Sequence, residues 1–378
     1  MMSIFRFKNR LSQMNTKRFR ILVVRADRIG DVILSTPIFN AIKKNYSKAH
    51  LTVLVQEMVV PLVNGLLPVD RCMVFDPNGR HAGIRGFFKL LKEIQKEQFH
   101  IAVVLQSHWK IAAALFFARV PSRIGPWSKL HSFLFYNLGV RQRRDHVEMH
   151  ETDYNLQLLR RLQIRVGSRS ISTQVSISRA VRQKARIWLQ KKGWSPEKKL
   201  IVIHPGMQSE ALNWPDSHYE DLVIELLKDQ RQLLLSGGPR DALILDRIKS
   251  RIEAFKKENT VSVDPMFYYG DNPIDFLGGL FSFSDLVVAP SSGPLHLAVA
   301  LGRPVVTFYS PIRIQSAIRW GPYLDDEKNV SILVPEVYCG QDFRCLGSFC
   351  HYYPCMKGLT VNQTFAEVRQ QLCESERF

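Results

Sequence analysis

Short unbroken apolar runs recur along this chain, each followed by a polar or glycine-containing turn and then a segment of helical period. In the first half the predicted strands are Arg20 to Val24, Leu51 to Val55, Val74-Phe75, Ile101 to Leu105 and Arg123 to Gly125. Helices are predicted from near Val32 to about Asn45, from Gly86 to Gln95, from Lys110 to Ala118 and from Asn155 to Leu162. A polar stretch without helical period, Ser168 to Ser178, separates these from a second series. That series opens with a helix from Arg179 to Lys192. Its predicted strands are Leu200 to Ile203, Gln232 to Leu235, a weak one near Val261, Leu286 to Ala289 and Val305 to Tyr309. An amphipathic helix from Thr364 to Leu372 closes the chain. Strands that are apolar throughout, alternating with helices, predict doubly wound parallel sheets buried on both faces.

The organisation expected is a basic arm (1–19), a Rossmann-like domain (20–175), a second Rossmann-like domain (176–336) and a cysteine-containing tail (337–378). A length of 378 residues accommodates two domains of ordinary size. No apolar run approaches the roughly 18 residues of a membrane span. The N-terminus is basic but has no apolar segment behind it, so no signal peptide is expected.

Charge adds a partner class. The chain holds 52 Lys and Arg against 34 Asp and Glu, a net of +18. Arg6, Lys8, Arg10, Lys17, Arg18 and Arg20 stand in a stretch without an acid, interleaved with Ile4, Phe5 and Phe7. Such an arm suits either an anionic membrane surface or a solvated tail. No nucleic-acid motif accompanies the charge, so no nucleic-acid partner is expected. Cys339, Cys345, Cys350 and Cys355 are spaced more loosely than the paired C-x2-C of zinc ribbons. Reduced thiols are expected there, with a metal site as the alternative.

The candidate chemistry lies in turns that follow strands. After Leu286 to Ala289 come Pro290-Ser291-Ser292-Gly293-Pro294, then a helix with His296 in its first turn. Exposed N–H groups, a positive dipole end, two hydroxyls and an imidazole suit a phosphate or pyrophosphate; an ordinary capped helix has the same outline. The first turn, Arg25-Ala26-Asp27-Arg28-Ile29-Gly30-Asp31, has one glycine where a dinucleotide fingerprint needs three, which argues against an NAD-dependent oxidoreductase. Asp31, read as standing directly before a helix, could be a general base or a helix cap. His204, Gly237 and Ser291 fall at the ends of strands of one sheet. Facing a carboxylate turn from the other sheet, they suggest an interdomain cleft with phosphate on one side and a base on the other.

Several separated segments together resemble glycosyltransferase family 9, the lipopolysaccharide heptosyltransferase family. They are RILVVRADRIGDVILSTPIFNAIKK, the stretch His150 to Leu159, VIHPG with NWP, LSGGPRD, and APSSGPLHLAVALGRPVVTFYSPIRIQSAIRWGPY. The resemblance runs from Arg20 onward and implies a GT-B fold with an interdomain cleft. It implies inverting, metal-independent sugar transfer from a nucleotide-sugar, typically ADP-heptose, to an anionic glycolipid acceptor such as the lipopolysaccharide core. The location implied is cytoplasmic, peripheral to the inner-membrane surface. Asp31 would be the catalytic base. Donor contacts would come from His204, Gly206, Ser209, Gly237, Gly238, Ser291, Ser292, Gly293, Pro294 and His296. Acceptor or phosphate contacts would come from Arg25, Arg28 and Gly30.

Two positions depart from the family's pattern. Ser291 stands where many members have Asp, and Leu212 where a donor-contacting lysine is usual. Both leave the sugar open; Arg25, Arg313 and Arg319 are candidates to replace the missing positive charge. They also motivate an alternative reading, a transferase-like binding protein without catalysis.

Overall fold

The computed structural model describes residues 19–207, 211–259, 263–325 and 328–374. The basic arm up to residue 18 lies outside them, as do Ser209 and Val261. The chain divides into two compact units, the first ending at Ser176 and the second beginning at Ile177.

The first unit is built on one six-stranded parallel sheet in the order β3-β2-β1-β4-β5-β6. Its strands are β1 (Arg20–Val24), β2 (His50–Val55), β3 (Arg71–Val74), β4 (Ile101–Val104), β5 (Ser122–Pro126) and β6 (Leu138–Val140). The helices are α1 (Ile29–Ile33), α2 (Thr36–Asn45), α3 (Val60–Val63), α4 (Gly83–Glu97), α5 (Trp109–Phe117), α6 (Leu130–Phe135) and α7 (Glu151–Leu158). β1 sits centrally, paired with β2 through Val23↔Val53 and with β4 through Val23↔Val103. Flanked on both sides, its Ile21 to Val23 are fully buried, which is why the strand is apolar throughout.

The single helix expected from Val32 to Asn45 is two. Pro37 has no N–H to reach the carbonyl of Ile33, and the Thr36 hydroxyl takes that carbonyl instead, at 2.7 Å. The Ser35 hydroxyl similarly donates to the carbonyl of Asp31. Asp31 is therefore inside α1, with Arg28 at the cap position, and does not stand before the helix. The helix expected from Asn155 is α7, which starts earlier, at Glu151.

The second unit repeats the plan in the order β12-β11-β10-β7-β8-β9. Its strands are β7 (Leu200–Ile203), β8 (Gln232–Ser236), β9 (Met266–Tyr268), β10 (Leu286–Pro290), β11 (Val305–Phe308) and β12 (Val330–Leu333). The helices are α8 (Arg179–Lys191), α9 (Asp216–Lys228), α10 (Ala242–Glu258), α11 (Ile274–Phe281), α12 (Gly293–Ala300), α13 (Ala317–Trp320) and α14 (Val361–Glu374). β6 and β12 escaped the sequence reading because they are short edge strands, partly exposed and so without a full apolar run. The weak strand expected near Val261 lies later, at Met266–Tyr268.

The tail closes this unit. Met356, Leu359, Val368 and Leu372 are buried in the core beneath β7, β8 and β10. Each such apolar side chain contributes about 1.5–3 kcal/mol relative to exposure. No helix of the described residues is long and apolar enough to cross a membrane.

Candidate functional site

Open α/β sheets bind ligands at the carboxyl ends of strands, where the strand order reverses. In the first sheet that point lies between β1 and β4, and the turn after β1 carries Arg25, Asp27 and Asp31. Arg25 is 1% exposed, yet it is fully partnered by acids. Its Nε donates to Asp27 Oδ1 at 2.8 Å, its Nη2 to Asp31 Oδ1 at 2.5 Å and its Nη1 to Glu151 Oε1 at 3.0 Å. Burial opposes the charge on Arg25, but Asp27, Asp31 and Glu151 outweigh it and raise its pKa. Arg144 donates to the same Glu151 oxygen at 2.5 Å and to Asn155 at 3.1 Å.

Three acids thus share two guanidinium groups. Burial, reinforced by Asp31 and Glu151 and opposed by Arg25, pushes the Asp27 carboxyl up to about 7. Asp31 keeps a side-chain exposure of 15%. Its Oδ1 faces Arg25, and among the described residues Oδ2 has no protein donor assigned to it, so a ligand hydroxyl can meet it there. Arg28 is exposed beside it, and Gly30 is buried in α1. Arg25 itself is turned into the acidic cluster, so its positive charge answers these carboxylates and not an open surface.

The second sheet reverses between β7 and β10. His204 follows β7, buried, with Nδ1 3.0 Å from Ser236 Oγ at the end of β8. Burial, only partly offset by Asp241, lowers the His204 pKa to about 4, so the imidazole is neutral at pH 7. Asp241 accepts the N–H of Gly238 at 2.8 Å. It presses so close to Gly206 that a Cβ there would lie 2.2 Å from its Oδ2, which explains the glycine. Gly237 is buried in the same wall.

After β10, Ser292 occupies the cap position of α12 in an extended conformation but makes no side-chain cap bond. Its Oγ is buried and has no hydrogen-bond partner among the described residues. The first intrahelical bond runs from His296 N–H to the Ser292 carbonyl, which leaves the amides of Gly293 and Leu295 at the helix opening; Pro294 has none to offer. Ser291 bonds the phenol of Tyr309, whose pKa is raised by burial. His296, expected on a solvent face if merely structural, is buried.

The residues expected to supply other charges are placed differently. Leu212 packs against the second core. The neighbouring Trp214 is buried too, stacked on Phe308 at 4.5 Å. Arg313 is exposed, and the Arg319 guanidinium lies 4.7 Å from the Trp320 ring centroid. Cys339, Cys345, Cys350 and Cys355 are half-buried thiols. Burial first, and then the other three, raise the pKa of Cys355. Among the described residues no group of three or more His, Cys, Asp or Glu is arranged to hold a metal ion. The sequence reading missed the roles of Glu151, Asn155, Arg144 and Asp241; Glu151, Asn155 and Asp241 lay within quoted segments, but nothing local said that the first two reach Arg25 or that Asp241 packs on Gly206.

Comparison with known proteins gives the family and the fold. A Haemophilus influenzae protein, provisionally described as a glycosyltransferase, is 27% identical over 323 residues, covering 84% of this chain and 89% of its own. Lipopolysaccharide heptosyltransferase 2 of Escherichia coli K12 is 23% identical over 310 residues, covering 77% and 83%. Among solved structures, a family 9 glycosyl transferase from Veillonella parvula superposes with a TM-score of 0.79 at 21% identity, covering 94% of this chain and 98% of that one. The fold is GT-B, two Rossmann-like α/β units. The family model of glycosyltransferase family 9 (heptosyltransferase) matches residues 87–352, well over half of the sequence, and the chain belongs to that family.

Proposed function

We propose that this glycosyltransferase moves a heptose or similar sugar from a nucleotide-sugar to a lipopolysaccharide core or related anionic glycolipid, with inversion and without a metal. The observation that carries the reading is Asp31, a carboxylate at the reversal point of the first sheet, held by a buried arginine and exposed on its other side. Inversion by single displacement needs one base. Asp31 takes the proton of the acceptor hydroxyl as its oxygen bonds to the anomeric carbon, and the bond from that carbon to the nucleotide diphosphate breaks. The departing diphosphate gains negative charge. The amides of Gly293 and Leu295 and the unpartnered Ser292 hydroxyl suit that charge, because helix-opening N–H groups are preorganised for anions.

The relatives' names support the donor class: one solved relative is an Escherichia coli ADP-heptose lipopolysaccharide heptosyltransferase II, at TM-score 0.75 and 19% identity over 95% of this chain and 100% of that one. Because Leu212 offers no charge to a donor phosphate, ADP-heptose is one candidate among nucleotide-sugars. An acceptor of this kind places the enzyme at the cytoplasmic face of the inner membrane.

The test is a thermal-shift panel of the purified protein with ADP, UDP, GDP and CMP and their sugars. A ligand at 100 times its Kd adds about 2.7 kcal/mol of stability. A selective shift with one nucleotide identifies the donor class; no shift with any favours the non-catalytic alternative.

A further inference from the structure

The short helix α6 exposes three of its four apolar side chains, and only Phe135 packs against the core. Its sequence, Leu130-His131-Ser132-Phe133-Leu134-Phe135, turns Ser132 fully inward, where the hydroxyl accepts the Lys129 N–H at 3.2 Å and lies 3.4 Å from Ser107 Oγ. Leu130, Phe133 and Leu134 face outward, 82%, 55% and 67% exposed. A surface helix ordinarily does the reverse, because each exposed apolar side chain forgoes the gain of burial.

The apolar surface continues beyond that helix. α5 packs between α4 and α6, and its Trp109 and Phe117 are more than half exposed. Aromatic contacts chain these helices together: Phe116 meets Phe135 at 5.6 Å, and Phe117 meets Phe87 of α4 at 6.4 Å. Beside them runs a shallow groove of about 490 Å³, lined by Phe116, Phe117, Arg119, Val120, Pro121 and Arg123. A contiguous patch of this kind on a water-facing surface marks an interaction site.

Charge selects the partner. From Gln98 to Arg144 the sequence holds seven Lys and Arg and not one Asp or Glu. Arg119 and Lys129 are exposed within the patch, and the Lys110 ammonium lies 5.8 Å from the Trp109 ring centroid. A second copy of this chain would bring the same acid-free cations against one another. Anionic lipid does the opposite: its headgroups attract the cations, and its acyl boundary accepts Leu, Phe and Trp.

We propose that the face formed by α5 and α6, with the adjoining end of α4, docks on an anionic lipid bilayer. The proposal rests on the lipid-linked acceptor only for its purpose; binding itself is read without any transfer.

The experiment is co-sedimentation of the full chain with vesicles of phosphatidylcholine alone or mixed with phosphatidylglycerol. The variants are a Leu130→Ser/Phe133→Ser/Leu134→Ser triple and an Arg119→Glu/Lys129→Glu double, each checked for an unchanged melting temperature. The wild type should partition onto the anionic vesicles at least about tenfold better than onto the neutral ones, and each variant should lose roughly tenfold or more. Wild-type binding to both vesicle types alike, or a folded triple variant that binds as the wild type does, overturns the proposal. So does a wild-type dimer that the triple variant breaks, since the occupant is then a second copy. Transfer to a water-soluble acceptor is measured in parallel. Vesicle binding with no transfer would leave the docking face standing and overturn the proposed reaction.

Discussion

Arg25 and Asp31 form an ion pair of 2.5 Å on the turn that leaves β1, the arginine almost fully buried and the aspartate partly open. The buried partner fixes the direction of the carboxylate, because a guanidinium held by three acids cannot swing away without giving up its ion pairs to all of them.

Asp31→Asn keeps the shape of that pair and removes the proposed base. Transfer should fall by about 10²–10⁴-fold while donor binding and melting temperature stay close to those of the wild type. Single-turnover transfer and isothermal titration with donor check this. A variant that turns over at the wild-type rate removes Asp31 from the role of base.

Glu151 binds both Arg25 and Arg144 and is 1% exposed. Glu151→Ala should destabilise the first unit by about 1.5–3 kcal/mol, because the buried Arg25 loses one of its three acids and Arg144 loses its ion pair with Glu151. Urea denaturation measures the loss. Glu151→Gln, which keeps the acceptor oxygen, should cost less.

Ser292→Ala removes a buried hydroxyl that has no partner among the described residues. Stability should therefore hold or rise slightly, while donor affinity falls by roughly tenfold if that hydroxyl bonds the diphosphate. Thermal melts with and without nucleotide-sugar separate the two effects. Unchanged affinity would show that the diphosphate does without this hydroxyl.

His204 gives a pH dependence of definite sign. Its pKa is lowered in the fold to about 4, from an ordinary value near 6.5. Between those values the unfolded chain binds the extra proton. The neutral histidine's share of stability is thus complete above about pH 6.5 and is lost as pH falls towards 4, on the order of 3 kcal/mol in all. Asp27, with its pKa raised, acts in the opposite direction, losing stability as pH rises towards 7. The His204 share is therefore the difference between the pH profiles of wild type and His204→Gln. Parallel profiles would show that His204 does not titrate in this way.

The parallel sheets were legible because a strand flanked on both sides must be apolar on both faces, and β1, β7 and β10 announce themselves by that run alone. Edge strands such as β12 face solvent in part and lose the signal. The helix opening after β10 was legible for a similar local reason: Ser292, Gly293 and Pro294 state in order how a helix begins. Whether the Ser292 hydroxyl caps that helix or is left unpartnered is a matter of backbone geometry and surroundings, which the residue name does not carry.

By itself the sequence determined the alternation of strand and helix, the family, the place of the carboxylate turn and the excess of positive charge. Each of these is written in residues near one another along the chain. The tertiary structure decided the pairings that span long separations. It brought Glu151 to Arg25 across 126 residues, set Asp241 against Gly206 and turned α6 apolar side outward. The physical reason is that burial and hydrogen bonding depend on which side chains share a volume, and in a doubly wound sheet those neighbours arrive from separate crossovers of the chain.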